Sequence, residues 1–156
     1  MDDNDLRHLR RCVELAEAAL EAGEEPFGSV LVGADGAVLA EDHNRITSTG
    51  DPTAHPELAL AQWAALNLSP GDRAGATVYT SGEHCPMCSA AHGWAGVGRV
   101  VYAVSAARLA EFSAEIGLPE SPVRPIPVQD VAPGVTVEGP EPSLEAEMLA
   151  LHRRRL

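Results

Sequence analysis

The chain contains no lysine: all 11 of its basic residues are arginine, set against 23 acidic residues, for a net charge of −12. Such a surface repels phosphate backbones on average, so nucleic acid is not an expected partner. The only dense basic run, Arg153-Arg154-Arg155, reads as the solvated end of a helix whose dipole it complements. No apolar run approaches the roughly 18 residues of a membrane-spanning helix, and the acidic start Met1-Asp2-Asp3-Asn4-Asp5 is unlike a secretory signal. A membrane is therefore not an expected partner, and the expected location is cytoplasmic. Three cysteines are too few, and odd in number, for a disulfide framework, and suit a reducing compartment. Internal repeats and linkers are also missing. The 156 residues, 45% of them hydrophobic, predict one domain over 1–156 with its own core.

Periodicity and punctuation give the elements. Leu6, Leu9, Cys12 or Val13, Ala16 and Leu20 recur at helical spacing, with Asp5 as the expected cap and Gly23 as the stop. Cys12 is then a core thiol. Residues 27–32 and 37–40 are apolar runs joined by Gly33-Ala34-Asp35-Gly36, whose Asp-Gly predicts an antiparallel hairpin. A second helix starts near His55 and is broken by Ser69-Pro70-Gly71-Asp72. A strand over 77–80 leads into a helix ending near Gly96. Residues 99–104 read as a further strand, followed by a helix that Ser105 caps. A helix between consecutive strands implies a parallel crossover. The proline-rich stretch 119–142 holds two apolar runs, 123–128 and 135–137, one of them an expected edge strand, where proline is tolerated. A last helix is expected over 143–156. This layout predicts a three-layer α/β domain around a mixed sheet of about five strands.

The chemistry concentrates in two short stretches. Cys85 and Cys88 lie three apart where a strand gives way to a helix, so both thiols share a first turn whose free N–H groups and dipole favour thiolate, the metal-binding form. His55 opens another helix, and Glu57 follows it by two. One His and two Cys make three ligands, the count of a catalytic zinc that leaves a position to water, whereas structural sites close with four. Two other readings fit the cysteine pair. A redox dithiol would leave His55 and Glu57 without a role. A closed structural zinc would recruit His84 or His92 as a fourth ligand.

His-x-Glu followed by Cys-x-x-Cys resembles the zinc nucleobase deaminases of the cytidine deaminase-like superfamily. Asn44-Arg45 and Asp51-Pro52-Thr53-Ala54-His55 look like the tRNA adenosine deaminase branch. Glu25-Pro26-Phe27-Gly28, Tyr79-Thr80-Ser81, Cys85-Pro86-Met87-Cys88 and Trp94 look like the guanine deaminase branch. The resemblance covers about residues 5 to 115. It implies the α/β/α cytidine deaminase-like fold, zinc held by His55, Cys85 and Cys88, and Glu57 as the proton shuttle rather than a ligand. It further implies Asn44, Phe27 and Trp94 as substrate contacts and a homodimer; the net charge of −12 and the aromatic faces of Phe27 and Trp94 then point to a free base or similar small amino-heterocycle as substrate, with tRNA adenosine deaminase as the alternative. One position departs: the family has proline before the first cysteine, and this chain has His84, a candidate to line the pocket. Glu83, just upstream, is expected to touch substrate or to hold the loop.

Overall fold

Strand β1 (Gly28–Val32) is buried at every position, which an alternating amphipathic strand is not. It must be covered on both faces. In the computed structural model, which describes residues 1–155, two helical layers do this. Val30 and Val32 face a cluster formed with Leu9, Val13 and Ala16 of α1 (Asp3–Glu21) and Leu144, Met148 and Leu151 of the last helix. Leu31 faces the opposite cluster, with Leu60 and Ala64.

After β1 come β2 (Val38–His43), α2 (Ile46–Thr49), α3 (Pro56–Asn67), α4 (Pro70–Gly75) and β3 (Thr77–Gly82). Then follow α5 (Pro86–Ala95), β4 (Arg99–Val104), α6 (Ala106–Glu115), α7 (Val128–Val131), β5 (Thr136–Glu138) and α8 (Pro142–Arg153). The sheet order is β2-β1-β3-β4-β5. β1 is antiparallel to both of its neighbours, whereas β3, β4 and β5 run parallel. This is the expected mixed five-stranded sheet in a three-layer α/β arrangement. The β3–α5–β4 crossover sets the start of α5 at the end of β3, and α3 packs beside α5 on the same face. Among the described residues no helix is long and apolar enough to cross a membrane.

Several elements differ from expectation. Asp5 does not cap α1; Asp2 does, and the two residues exchange backbone-to-side-chain bonds as a capping box. Asp5 is buried, and its carboxylate accepts from Tyr79 Oη at 2.7 Å and from two nitrogens of Arg99 at 2.8 and 2.9 Å. Ser69-Pro70 does not simply break the chain: Ser69 caps α4, with Pro70 in the first turn, where a missing N–H costs nothing. Of the two proline-flanked apolar runs, 135–137 supplies the edge strand β5. Residues 123–127 are irregular, and Val128 opens α7. The last helix begins at Pro142; residue 156 of its predicted span lies outside the described residues. The arginine run is tied to the protein itself: Arg154 pairs with Glu17, Arg155 pairs with Glu25, and Arg153 lies over the Phe112 ring.

Candidate active site

The two ligand-bearing helices start in the same way. His55 is the N-cap of α3 and Cys85 the N-cap of α5, both extended, and each is followed by proline, Pro56 and Pro86. Proline disfavours helical backbone in the residue before it and is pre-set for the first helical position. The His-Pro and Cys-Pro dipeptides therefore place each ligand just outside its helix while the next turn is already formed. Cys88 sits one turn further along α5 and is fully buried.

These donors converge. Cys85 Sγ and Cys88 Sγ are 3.6 Å apart, and His55 Nδ1 lies 3.6 Å from each. With Zn–S near 2.3 Å and Zn–N near 2.0–2.1 Å, tetrahedral coordination requires donor separations of about 3.6–3.8 Å. The three side chains fit zinc, and among the described residues they are the one group of three such donors close enough to share an ion. Without metal, Cys85 is pulled down to about 4 by its hydrogen bond with Cys88 and by His55, while the same bond and burial push Cys88 up. Thiolate is thus favoured at Cys85, and a cation bound by this donor set would favour it at both sulfurs.

Glu57, in the first turn of α3, is 5% exposed and stays out of the donor group. Its Oε1 is within hydrogen-bond reach of the hydroxyls of Thr80, at 2.8 Å, and Ser29, at 3.1 Å. Its Oε2 lies 3.9 Å from the Cys88 sulfur. Burial raises its pKa above the usual glutamate value, with the Thr80 hydroxyl opposing the shift. Sequence reading missed Ser29 and Thr80. For Ser29 the signal is a single hydroxyl residue in an otherwise apolar strand; Thr80, in a strand with other hydroxyl residues, has no such mark.

The other expected residues make contacts of their own, and neither Asn44 nor Phe27 lines the cleft beside His55. Asn44 is buried, its N–H donating to Phe27 O and its Oδ1 accepting from Ile46 N at 3.0 Å. Phe27 is half-buried, edge-on to His152 and against Gly82 at the end of β3. A cleft of about 230 Å³ opens beside His55, lined also by Arg45, Thr53 and Gln62. Trp94, in contrast, is 90% exposed in the last turn of α5, at the opposite end of that helix from Cys85 and Cys88. Within one chain its ring does not enclose the metal cluster. It instead borders a shallow groove of about 670 Å³ with Val97, Val131 and Val135. His84 is fully buried and packs edge-on against His92, 5.2 Å between ring centroids, so it lines no open pocket. Neither histidine joins the donor group, which removes the closed four-ligand reading. Glu83 holds the loop: its two oxygens accept from Ala106 N at 3.0 Å and Val128 N at 3.1 Å.

The family model of the cytidine and deoxycytidylate deaminase zinc-binding region matches residues 2–104. The guanine deaminase of Bacillus subtilis (strain 168) is 41% identical over 104 residues, 66% of this chain and 66% of that protein. The tRNA-specific adenosine deaminase of Agrobacterium fabrum is 40% identical over 87 residues, covering 56% and 57% of the two chains. The aligned stretch thus spans two thirds or less of either relative. A solved guanine deaminase from Nitrosomonas europaea superposes with a TM-score of 0.69 at 27% identity, covering 95% of this chain and 82% of that one. With its matched segment carrying the converging His55, Cys85 and Cys88, the chain belongs to the cytidine and deoxycytidylate deaminase zinc-binding family, hydrolytic enzymes acting on C–N bonds.

Proposed function

We propose that this protein is a zinc-dependent hydrolytic deaminase of a free nucleobase or similar small amino-heterocycle, guanine deaminase-like, releasing ammonia. The observation that carries the reading is the pairing of a three-donor metal cluster with a buried carboxylate that is not a ligand. Zinc bound there supplies a water acidified to a pKa of about 7 in its remaining position. The protein's share is proton traffic and orientation. Thr80 and Ser29 occupy Oε1 of Glu57, which leaves Oε2, on the Cys88 side, as the oxygen that takes the water proton. Glu57 Oε2 passes that proton to a ring nitrogen; the second proton, from the hydroxyl added to the carbon, goes by the same carboxylate to the amine, which leaves as ammonia. A pKa raised by burial suits a carboxylate that must donate a proton as well as accept one. Asn44 and Phe27 are assigned to the substrate ring, Asn44 through its carboxamide and Phe27 through its face.

The same reading takes 1–156 as one domain acting in a reducing, cytoplasmic compartment, which suits two thiols used as metal ligands and a third buried in the core. It also takes the molecule as a homodimer. Trp94 and Leu66, 90% and 86% exposed near the ends of α5 and α3, support this as apolar surface on one helical layer. A second reading, tRNA adenosine deaminase, is favoured by Asp51-Pro52-Thr53-Ala54-His55 and by the Agrobacterium fabrum relative. The net charge of −12 and the internal pairing of Arg154 and Arg155 support the small-molecule reading over it.

The test is ammonia release from guanine, a guanine nucleoside, cytosine, an aminotriazine and an anticodon stem-loop RNA, at low and moderate salt. Turnover of a small amine is expected. Salt-sensitive turnover of the RNA with none of the small amines overturns this reading for the second one.

A further inference from the structure

Helix α2 is four residues long, too short to hold itself together. Its N-cap residue, Arg45, makes no side-chain capping bond. The three N–H groups of its first turn are nevertheless all taken. Ile46 N donates to Asn44 Oδ1 at 3.0 Å, Thr47 N to Glu24 Oε2 at 2.7 Å, and Ser48 N to Glu24 Oε1 at 2.8 Å. Glu24 comes from outside the loop and is 5% exposed. It is itself fixed at the end of α1, where Gly23, at φ +84°, turns the chain so that Gly23 N and Glu24 N donate back to Leu20 O and Ala19 O. The loop that Glu24 clamps runs from Asn44 to His55 and is closed at its base by Arg45 N donating to Ala54 O at 3.1 Å.

From this geometry we propose that Glu24 is a positioning residue for the substrate, acting through Asn44; the inference rests on the deaminase reading above. By holding Thr47 and Ser48, Glu24 keeps Ile46 N–H aimed at Asn44 Oδ1. With that oxygen committed, the Asn44 carboxamide offers its Nδ2–H donors. A substrate acceptor, a ring nitrogen or carbonyl oxygen, can meet those donors, while one lone pair of Oδ1 is already taken. Both carboxylate oxygens are needed because there are two N–H groups to satisfy. Glutamine at 24 keeps one acceptor and sets an amide N–H₂ against the other donor, and aspartate falls one methylene short.

The experiment compares Glu24→Gln, Asn44→Ala and the double variant, all as zinc-loaded enzyme, with guanine as the probe, together with zinc content and amide hydrogen exchange at Thr47 and Ser48. In Glu24→Gln, KM for guanine is expected to rise about tenfold, the value of one charge-assisted hydrogen bond, with kcat held within about twofold. A general loss of folded enzyme would lower kcat and leave KM alone. In the Asn44→Ala background the same change should alter KM less than about twofold, because the route through Asn44 is already gone. Zinc stays at one per chain, and Thr47 and Ser48 exchange at least about tenfold faster. Full additivity in the double variant, or unchanged exchange at Thr47 and Ser48, overturns the proposal. If wild-type enzyme turns over none of the small amines, the deaminase reading and the proposed route to substrate both fall. Faster exchange in Glu24→Gln would then still establish the clamp as a property of the loop.

Discussion

The two ends of α5 present opposite kinds of surface. At its start, Cys85 and Cys88 are brought with His55 into mutual separations of 3.6 Å, and Cys88 has no exposed surface. At its end, six residues beyond Cys88, Trp94 stands 90% exposed beside a groove of small and apolar side chains. The first end owes its geometry to backbone: a strand end, an extended residue before proline, and one helical turn. The second end is closed by Gly96 in the left-handed conformation and leaves the Trp94 ring uncovered. A chemical site can thus be built almost entirely from helix-start stereochemistry, while the same helix about 9 Å further along carries exposed apolar area.

The largest expected effect comes from breaking the first end. Replacing Cys88 by Ser should reduce zinc from one per chain to near zero by elemental analysis. It should also lower the melting temperature by roughly 10 °C, since metal binding is coupled to folding. Retention of stoichiometric zinc by this variant would remove Cys88 from the ligand set. Next comes Glu57→Gln, which keeps the zinc but loses at least about 10²-fold in kcat. Loss of metal from that variant would make Glu57 a ligand. Metal-free, the same variant should be at least as stable as the metal-free parent at neutral pH, because a buried charge is removed.

A third test takes a buried pair on the other side of the sheet. Asp5→Asn removes the carboxylate that binds Arg99 and Tyr79, and should cost about 2–3 kcal/mol at pH 7 by denaturant unfolding. That is somewhat under the value for a fully buried pair, since Arg99 keeps a quarter of its side chain exposed. The Arg99 guanidinium holds Asp5 well below the usual carboxylate range. The stabilisation is therefore complete above the unfolded pKa near 3.8 and declines as pH falls below it, so the gap between parent and variant should close in acid. Zinc content and kcat should not change. The smallest effect on the isolated chain is expected at the second end of α5. Trp94→Ala should leave zinc and monomer stability within about 0.5 kcal/mol, yet shift sedimentation of the proposed dimer to monomer. Zinc loss in that variant would show that the two ends of the helix are not independent.

What was legible in the sequence follows from how local its cause is. His55-Pro56-Glu57 and Cys85-Pro86-Met87-Cys88 carry their geometry in the dipeptides themselves, so ligand identity and helix starts could be read directly. Asp35-Gly36 likewise specified the β1–β2 hairpin, with Gly36 at φ +83°. Asp5 was misread because its local signal, an acidic residue ahead of an apolar helix, is genuine but belongs to Asp2. Its partners Tyr79 and Arg99 lie 74 and 94 residues away. Glu57's hydroxyl partners and Glu24's clamp on α2 are equally non-local, and no spacing rule connects them. Trp94 was assigned by analogy to a pocket that the fold of one chain does not bring to it. His84 is expected beside substrate because it stands where the family has proline, but its ring is fully buried against His92.

The dual attachment of Glu83 bears on where this protein can be cut. The family-matched segment stops at Val104, but the carboxylate two residues before Cys85 finds its partners at Ala106 and Val128. Ending the chain at that boundary would strand a carboxylate in the interior with neither N–H to receive it, right beside a metal ligand. The recognisable module and the cooperative folding unit therefore have different C-terminal limits, and the latter extends at least to α7.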